Sequence, residues 1–292
     1  MAKKISIITP VYNGEKFIRQ TIESVLSQAG DFYIDYIVIN DGSTDSTEKV
    51  IGECEQLWKN GAIPKRCLGV SFRHWSRLNK GQTPTISEGF CAAEGEILAW
   101  MNADDYYLPG AFAAVAKTFE ENPDIDFVYG DCLKIHEGSD KPPTTEPKPR
   151  PNETLESLRA RGNSFDMNFF TKRIFEKVGS LDESLHYCMD LDFWFRVFAA
   201  GKAKYLPYTL AAFRLWPGSK TSTSQNKFAV ERKLLAKRYG GNVIPAKKIY
   251  RLRGKLSFLN FFQQKTPRFY ALSKKIFYRF INLFRYQTKL GD

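Results

Sequence analysis

The sequence predicts an α/β fold, a mostly parallel mixed sheet flanked by helices, and two observations carry that prediction. Over roughly the first 130 residues, short β-branched or aromatic runs alternate with segments of helical spacing. That alternation is the pattern of a mostly parallel sheet covered on both faces. Polar residues also collect just after the strand runs, at 10–15, 41–46, 73–81 and 102–108. Open sheets of this kind bind ligands outside the carboxyl ends of their strands.

Strand runs fall at residues 5–9, 36–40, 68–72, 97–101 and 126–129. Between the first two, residues 16–28 place Phe17, Ile18, Ile22, Val25 and Leu26 on one helical face. A second helix begins near Asp45, where Asp45 and Glu48 have the spacing of a capping box, and runs to about Trp58. A third covers 83–93, and a fourth starts at Pro109, a residue suited to a first helical turn. Residues 138–153 hold five prolines (Pro142, Pro143, Pro147, Pro149 and Pro151) and read as an exposed, partly extended loop. Apolar patterning resumes at 169–178 and 190–200, and a helix is expected over 222–239.

Charge is divided sharply. The chain of 292 residues carries 43 Lys and Arg against 32 Asp and Glu, but residues 246–292 hold twelve of the bases and one acid. The remaining 31 bases and 31 acids cancel, so any electrostatic partner belongs to the tail. The five cysteines (Cys54, Cys67, Cys91, Cys132, Cys188) are scattered and form no CxxC pair, which argues against a disulfide framework and a zinc site and for reduced, mostly buried thiols. The apolar run after Lys4 is too short for a signal peptide, and nothing approaches the ~18 apolar residues of a membrane span. The expected location is cytoplasmic, peripheral on the inner face of the plasma membrane.

Two strand ends carry chemistry. After the second strand comes Asn40-Asp41-Gly42-Ser43-Thr44-Asp45, which alone is equally good turn chemistry. Taken with Thr9-Pro10-Val11-Tyr12-Asn13 at the first strand's end, it supplies a ring to stack on a base and a carboxylate to accept a pyrimidine N–H. After the fourth strand, Asn102-Ala103-Asp104-Asp105 places two adjacent carboxylates that repel unless a cation or proton intervenes. A hard divalent ion, Mn2+ or Mg2+, suits such oxygens and offsets the charge of a departing diphosphate. The competing reading is that these acids cap the helix at Pro109.

At these residues the chain resembles glycosyltransferase family 2, the inverting enzymes of GT-A (Rossmann-like) fold. The resemblance rests on ITPVYNGEKFIRQTIESVLSQ, VINDGSTDST, NKGQTPTISEGFCAAEGEILAWMNADD and LHYCMDLDFWFRVFAAG, in that order, over roughly residues 4–240. It implies a domain at 1–240, with a nucleotide-binding half at 1–135 and an acceptor half at 154–240. It implies that Thr9, Pro10, Tyr12 and Asp41 meet the nucleotide base. Asn102, Ala103, Asp104 and Asp105 fall on the family's DxD segment, with Asn102 replacing its first acid. Binding of the ribose is thereby left to an amide, and the metal to Asp104 or Asp105. Asp190 matches the family's general base, which deprotonates an acceptor hydroxyl as it attacks the anomeric carbon; Met189 stands where Glu is usual. Asp192 reads as a cap or structural partner. Arg214 and Lys220 are candidates for diphosphate oxygens, solvated loop charge being the alternative. Trp216 stands where many relatives carry His. Of the three histidines only His186 lies near Asp190.

The tail at 241–292 reads as a basic amphipathic helical appendage. In 268–288, Phe269, Leu272, Ile276, Phe280, Leu283 and Phe284 share one face, with Lys274, Lys275, Arg279 and Arg285 on the other. Such a helix suits an anionic membrane surface; packing on protein is the second reading, and no nucleic-acid motif accompanies the charge. The function expected is sugar transfer from a nucleotide-sugar donor, a UDP-sugar favoured, to a glycan or lipid-linked acceptor. The alternative is an inactive nucleotide-sugar-binding module. A dinucleotide oxidoreductase is excluded by the lack of GxGxxG after the first strand, and a pyrophosphorylase by the single glycine there.

Overall fold

Strand β1 (Lys3–Val11) is buried along most of its length and is the spine of the sheet. It pairs in parallel with β2 (Ala29–Asn40) on one side and β4 (Ile97–Trp100) on the other, and β3 (Arg66–Ser76) extends β2 in parallel. The structure, a computed structural model, describes residues 2–140, 142–145, 154–161 and 168–240. All of them belong to one unit, Met1–Val243. The expected basic helix of the tail lies outside the described residues.

Beyond β4 the sheet becomes mixed. β8 (Asn168–Thr171) runs antiparallel between β4 and β6 (Phe127–His136). β6 pairs in parallel with the long β9 (Ala203–Leu215), which pairs antiparallel with the short β5 (Tyr106–Tyr107). The order is β3-β2-β1-β4-β8-β6-β9-β5, and β7 (Thr144–Thr145) adds a short antiparallel pairing to β6.

The helices cover both faces, as parallel strands buried on two sides require. α1 (Ile18–Leu26) buries Ile18, Thr21, Ile22, Val25 and Leu26, a stripe of helical period. With α2 (Thr47–Lys59) and α4 (Ala111–Glu121) it packs over Ile5 and Ile7 of β1. On the opposite face Ile8 meets α3 (Gln82–Ala92), α6 (Lys172–Val178) and α7 (Met189–Ala200). There Trp100 stacks on Trp194 with ring centroids 5.6 Å apart. α5 (Leu155–Arg161), α8 (Lys220–Thr223) and α9 (Gln225–Tyr239) complete the described elements.

The structure revises several local expectations. The capping box at Asp45 and Glu48 does not form: Asp45 Oδ1 accepts the Thr47 N–H at 3.0 Å, and helix α2 starts at Thr47. Glu48 turns to Asn40 Nδ2 at 2.6 Å and to the Ser76 hydroxyl, donors presented by the adjoining strand ends. β3 runs on to Ser76, so the loop after it is 77–81. Residues 106–107 of the fourth loop form β5, and the helix follows at Ala111 rather than Pro109 because Gly110 adopts the left-handed conformation before it. Part of the proline-rich segment, Thr144–Thr145, joins the sheet edge.

α3 presses tightly on β1. A Cβ on Gly89 would lie 2.3 Å from Ile8 Cγ2. Helix propensity alone favours alanine there by about 1 kcal/mol, whereas overpacking a core costs about 1–3 kcal/mol. Gly89→Ala is therefore expected to lower the urea midpoint of unfolding; a raised midpoint would mean the helix gives way freely.

Candidate active site

The ends of the parallel strands are tied to one another before any ligand is considered. Asn13 takes a left-handed backbone (φ 50°), a conformation asparagine tolerates. Its side-chain oxygen accepts the Thr44 N–H at 2.8 Å, while its own N–H donates to the Ser43 hydroxyl at 2.9 Å. Across the same gap the Glu15 N–H donates to Asp45 Oδ2, and Glu15 Oε2 accepts the Ser46 N–H. The loops after β1 and β2 are thus joined side by side, leaving the Tyr12 ring 55% exposed above them.

Asp41 lies at the floor. Its Oδ1 accepts the Lys80 N–H at 2.9 Å and a 2.7 Å contact from Arg77, and its Oδ2 accepts the Gly81 N–H at 2.8 Å. These bonds hold the loop after β3 against the loop after β2. Gly42 permits the approach: its φ is +76°, and a Cβ there would stand 2.8 Å from the Asn79 nitrogen.

The two acids after β4 have different surroundings. Asp105 is 1% exposed, and its Oδ1 accepts the Arg214 N–H at 2.8 Å while Oδ2 accepts Asn102 Nδ2 at 3.2 Å. Asp104 is partly exposed, and its Oδ2 accepts the Trp216 indole N–H at 2.9 Å. Trp216 is set edge-on to Phe17, with centroids 5.4 Å apart. The tryptophan that stands in place of histidine therefore orients Asp104 by donating to one of its oxygens. Asp105 belongs to the framework, and this corrects its assignment as a candidate metal ligand: both its oxygens are turned inward.

Arg214 is likewise corrected. It is 4% exposed, and its guanidinium donates to the Asp104 carbonyl at 3.0 Å and to Gln20 Oε1 at 2.6 Å. It also lies 3.4 Å from Glu137 and over the Phe17 ring. Aromatic faces and fixed acceptors enclose the guanidinium. Thr9 is fully buried with its hydroxyl 3.1 Å from that of Tyr36, so only its main chain can border the site. Pro10 is buried in β1, and Ala103 is half-buried beside Asp104.

Lys220 connects the two sides of the site. Its ammonium donates to Gln82 Oε1 at 3.0 Å and to the His186 carbonyl, and it lies over the Tyr187 ring. Gln82 Nε2 in turn donates to Asn102 Oδ1 at 2.8 Å. Although the residue's stem is exposed, desolvation of the inward-turned ammonium lowers its pKa, while the negative charge of Asp190 opposes the shift. Asp190 occupies the first turn of α7 and accepts the Leu191 N–H at 2.7 Å. Asp192, as its spacing suggested, is a structural partner: it is 1% exposed and receives Arg196, Arg238 and Tyr239.

The cysteines are all free, and Cys54, Cys132 and Cys188 are buried. Burial, reinforced by the charge of Asp190, pushes the Cys188 thiol up to about 12, so it stays neutral beside that carboxylate. Among the described residues no cluster of three or more His, Cys, Asp or Glu gathers to hold a metal by itself.

A parallel sheet with its acids and exposed ring at the strand ends defines a nucleotide-binding α/β protein. The family model for glycosyl transferase family 2 matches residues 6–179. The chain belongs to that family, and its fold is GT-A. It is 27% identical over 230 residues to an uncharacterized glycosyltransferase of Rickettsia typhi, covering 76% of this chain and 67% of that protein. A second relative, from Rickettsia felis, is 28% identical but is spanned over only 36% of its length. Among solved structures, S. aureus TarS 1-349 in complex with UDP-GlcNAc aligns with a TM-score of 0.62 at 19% identity, covering 84% of this chain and 69% of that one. The Pyrobaculum calidifontis mannosyltransferase PcManGT, with GDP-Man and Mn2+, aligns at 0.58 and 16% identity over 82% of this chain and 66% of that one.

The different surroundings of the paired acids have a measurable consequence. Asp105→Ala strands the Arg214 main-chain N–H in the interior and is expected to destabilise the fold by about 1–3 kcal/mol, the cost of a buried donor left unsatisfied. Asp104→Ala loses one half-exposed hydrogen bond and is expected to cost about 0.5–1.5 kcal/mol. Urea unfolding of the two variants decides the matter, and equal losses would refute the division.

Proposed function

We propose that this chain is an inverting glycosyltransferase, moving a sugar from a nucleotide-sugar donor, with a UDP-sugar favoured, to a hydroxyl of a glycan or lipid-linked acceptor. The observation that carries the reading is the bridge made by Lys220. It joins the 102–105 loop, through Gln82, to the segment leading into Asp190, so that two carboxylates on separate halves of the fold share one site. TarS and PcManGT, which share the fold with their donors bound, support the donor class.

Each residue then has a role its surroundings allow. The exposed Tyr12 ring stacks on the base. Asp41 is an acceptor whose Oδ1 receives two donors and whose Oδ2 receives one. A carboxylate has about four lone-pair sites, so Oδ2 retains capacity for the imide N–H of uracil. Asn102 borders the ribose by its amide.

A divalent ion fits the donor set. Mg2+ or Mn2+ commonly binds through one or two carboxylates, with substrate phosphates and water completing the shell. Asp104, whose Oδ2 is oriented by Trp216, has its Oδ1 to offer. When bound, the ion neutralises charge on the diphosphate as it leaves the sugar. Lys220 is placed to add a second cation. Asp190 takes the proton of the acceptor hydroxyl as that oxygen attacks, which gives a single displacement with inversion. Among the described residues no helix is long and apolar enough to cross a membrane. The basic residues of 246–292 are proposed to attach the chain to an anionic membrane surface, close to lipid-linked acceptors.

Titration calorimetry with UDP, dTDP and GDP, with and without manganese, tests the donor site. UDP binding that strengthens with manganese is expected, falling by about tenfold or more, 1.4 kcal/mol, in Asp104→Ala. Turnover is followed as UDP release from UDP-GlcNAc, UDP-glucose and UDP-galactose; Asp190→Asn should lower it by about 10²–10⁴ without changing UDP affinity. If none of the nucleotides binds with metal, the donor assignment fails. For the tail, the full chain should float with vesicles containing phosphatidylserine. A variant with Lys274, Lys275, Arg279 and Arg285 changed to Gln should float less, and equal flotation would dismiss the membrane surface.

A further inference from the structure

Helix α7, which carries Asp190, does not cap its own start: its N-cap residue is Cys188, and no side chain of that residue makes a capping bond. The first N–H groups of a helix and those just before it need acceptors from elsewhere. Those of the three residues that lead into α7 find one in Glu231, on α9 and more than forty residues further along the chain. Glu231 Oε1 accepts the His186 N–H at 2.9 Å, and Oε2 accepts those of Tyr187 and Cys188, each at 2.8 Å. Three consecutive amides thus converge on one carboxylate, an anion nest filled by the protein itself. Bonds of this charge-assisted kind are about twice as strong as neutral ones.

Around this point the two helices are joined by further contacts. Tyr187 packs edge-on to Phe228 with centroids 5.2 Å apart, and the Cys188 thiol lies 3.6 Å from the Phe228 carbonyl. A turn of α7 further on, Arg238 and Tyr239 from the end of α9 bind Asp192. The His186 carbonyl, on the opposite side of the same peptide segment, receives Lys220. Segment 186–188 is therefore held by its N–H groups from α9 and by a carbonyl from α8. Asp190 follows it by two residues, in the first turn of α7.

We infer that Glu231 is a positioning residue for sugar transfer, fixing the 186–190 segment so that the Asp190 carboxylate meets the acceptor hydroxyl. The inference rests on the proposed role of Asp190. Glu231 itself touches neither donor nor reacting atoms. It orders the peptide that leads into the base, and a displacement of about 1 Å in such a site can cost about 100-fold in rate. A merely structural role would instead lower folded fraction and every activity together.

The test compares the full-length wild type with Glu231→Ala and Glu231→Gln. Two measurements are made on each. Hydrogen exchange reads the amides of 186–188 without any substrate. Manganese-dependent UDP binding and UDP release from the UDP-sugar panel separate affinity from turnover. The expected result is faster exchange at 186–188, turnover down by about 100-fold in the alanine variant, and UDP affinity within about twofold of wild type. Glu231→Gln keeps one acceptor oxygen and should recover part of the turnover. Unchanged exchange at 186–188 in the alanine variant overturns the inference, as does turnover within twofold of wild type. A parallel loss of UDP binding and turnover overturns it too, since that is the mark of a scaffold residue. If Asp190→Asn keeps full turnover, the reading of the base fails and takes this inference with it, whereas a wild-type Glu231→Ala beside an inactive Asp190→Asn sinks this inference alone.

Discussion

One buried carboxylate conditions the rest of the site. Asp105 sits in the interior with an acceptor on each side of it satisfied: the Arg214 N–H from β9 and the Asn102 amide from its own loop. Removing a polar group from water is costly unless partners close at hand bond it. Because Arg214 is 109 positions away in sequence, the compensation ties the first strand group to the last. The loop between Asn102 and Asp105 has its shape set by that tie, and its shape is what turns Asp104 outward.

From Asp105 the polar contacts run on without a break. Asn102 passes from Asp105 to Gln82, Gln82 to Lys220, and Lys220 to the peptide before α7. The chain runs from the buried Asp105 through half-buried Asn102 and Gln82 to Lys220 at the surface. The network thus links the loop that carries Asp104 to the peptide leading into Asp190 on α7. Rigid support of this kind is what transfer chemistry needs, since orientation accounts for much of the barrier that an enzyme removes.

Much of this was legible from residues alone. The early strands and α1 declared themselves through β-branched runs and a clean stripe of helical period, and the rule for parallel sheets put the candidate loops at the right ends. β9 escaped because its thirteen residues, with a proline inside and an alanine pair, show no alternation. Its partner β5 is too short to announce itself, and with β9 unseen nothing in the sequence could separate Asp104 from Asp105. Two adjacent aspartates are chemically identical until a strand from elsewhere buries one of them. Arg214 misled for a related reason: a basic residue near a diphosphate site reads as a ligand, and the aromatic faces that enclose it come from Phe17 and Tyr106. Glu231, set among the lysines of α9, looks like one half of a surface ion pair, and the amides it binds lie on another helix. Trp216 could be singled out in the sequence, but its meaning required the Asp104 oxygen beside it.

The long tie between Asp105 and β9 also dictates an order of events during synthesis. A chain emerging amino end first lays down β1 to β4 and exposes the 102–105 loop long before Arg214 exists. Domains form as they leave the ribosome, amino-terminal parts first, and contacts distant in sequence close late. Until about a hundred further residues have been made, Asp105 lacks the Arg214 N–H, and the loop that presents Asp104 lacks the tie to β9. A strand made later in synthesis thus completes the setting of acids made well before it.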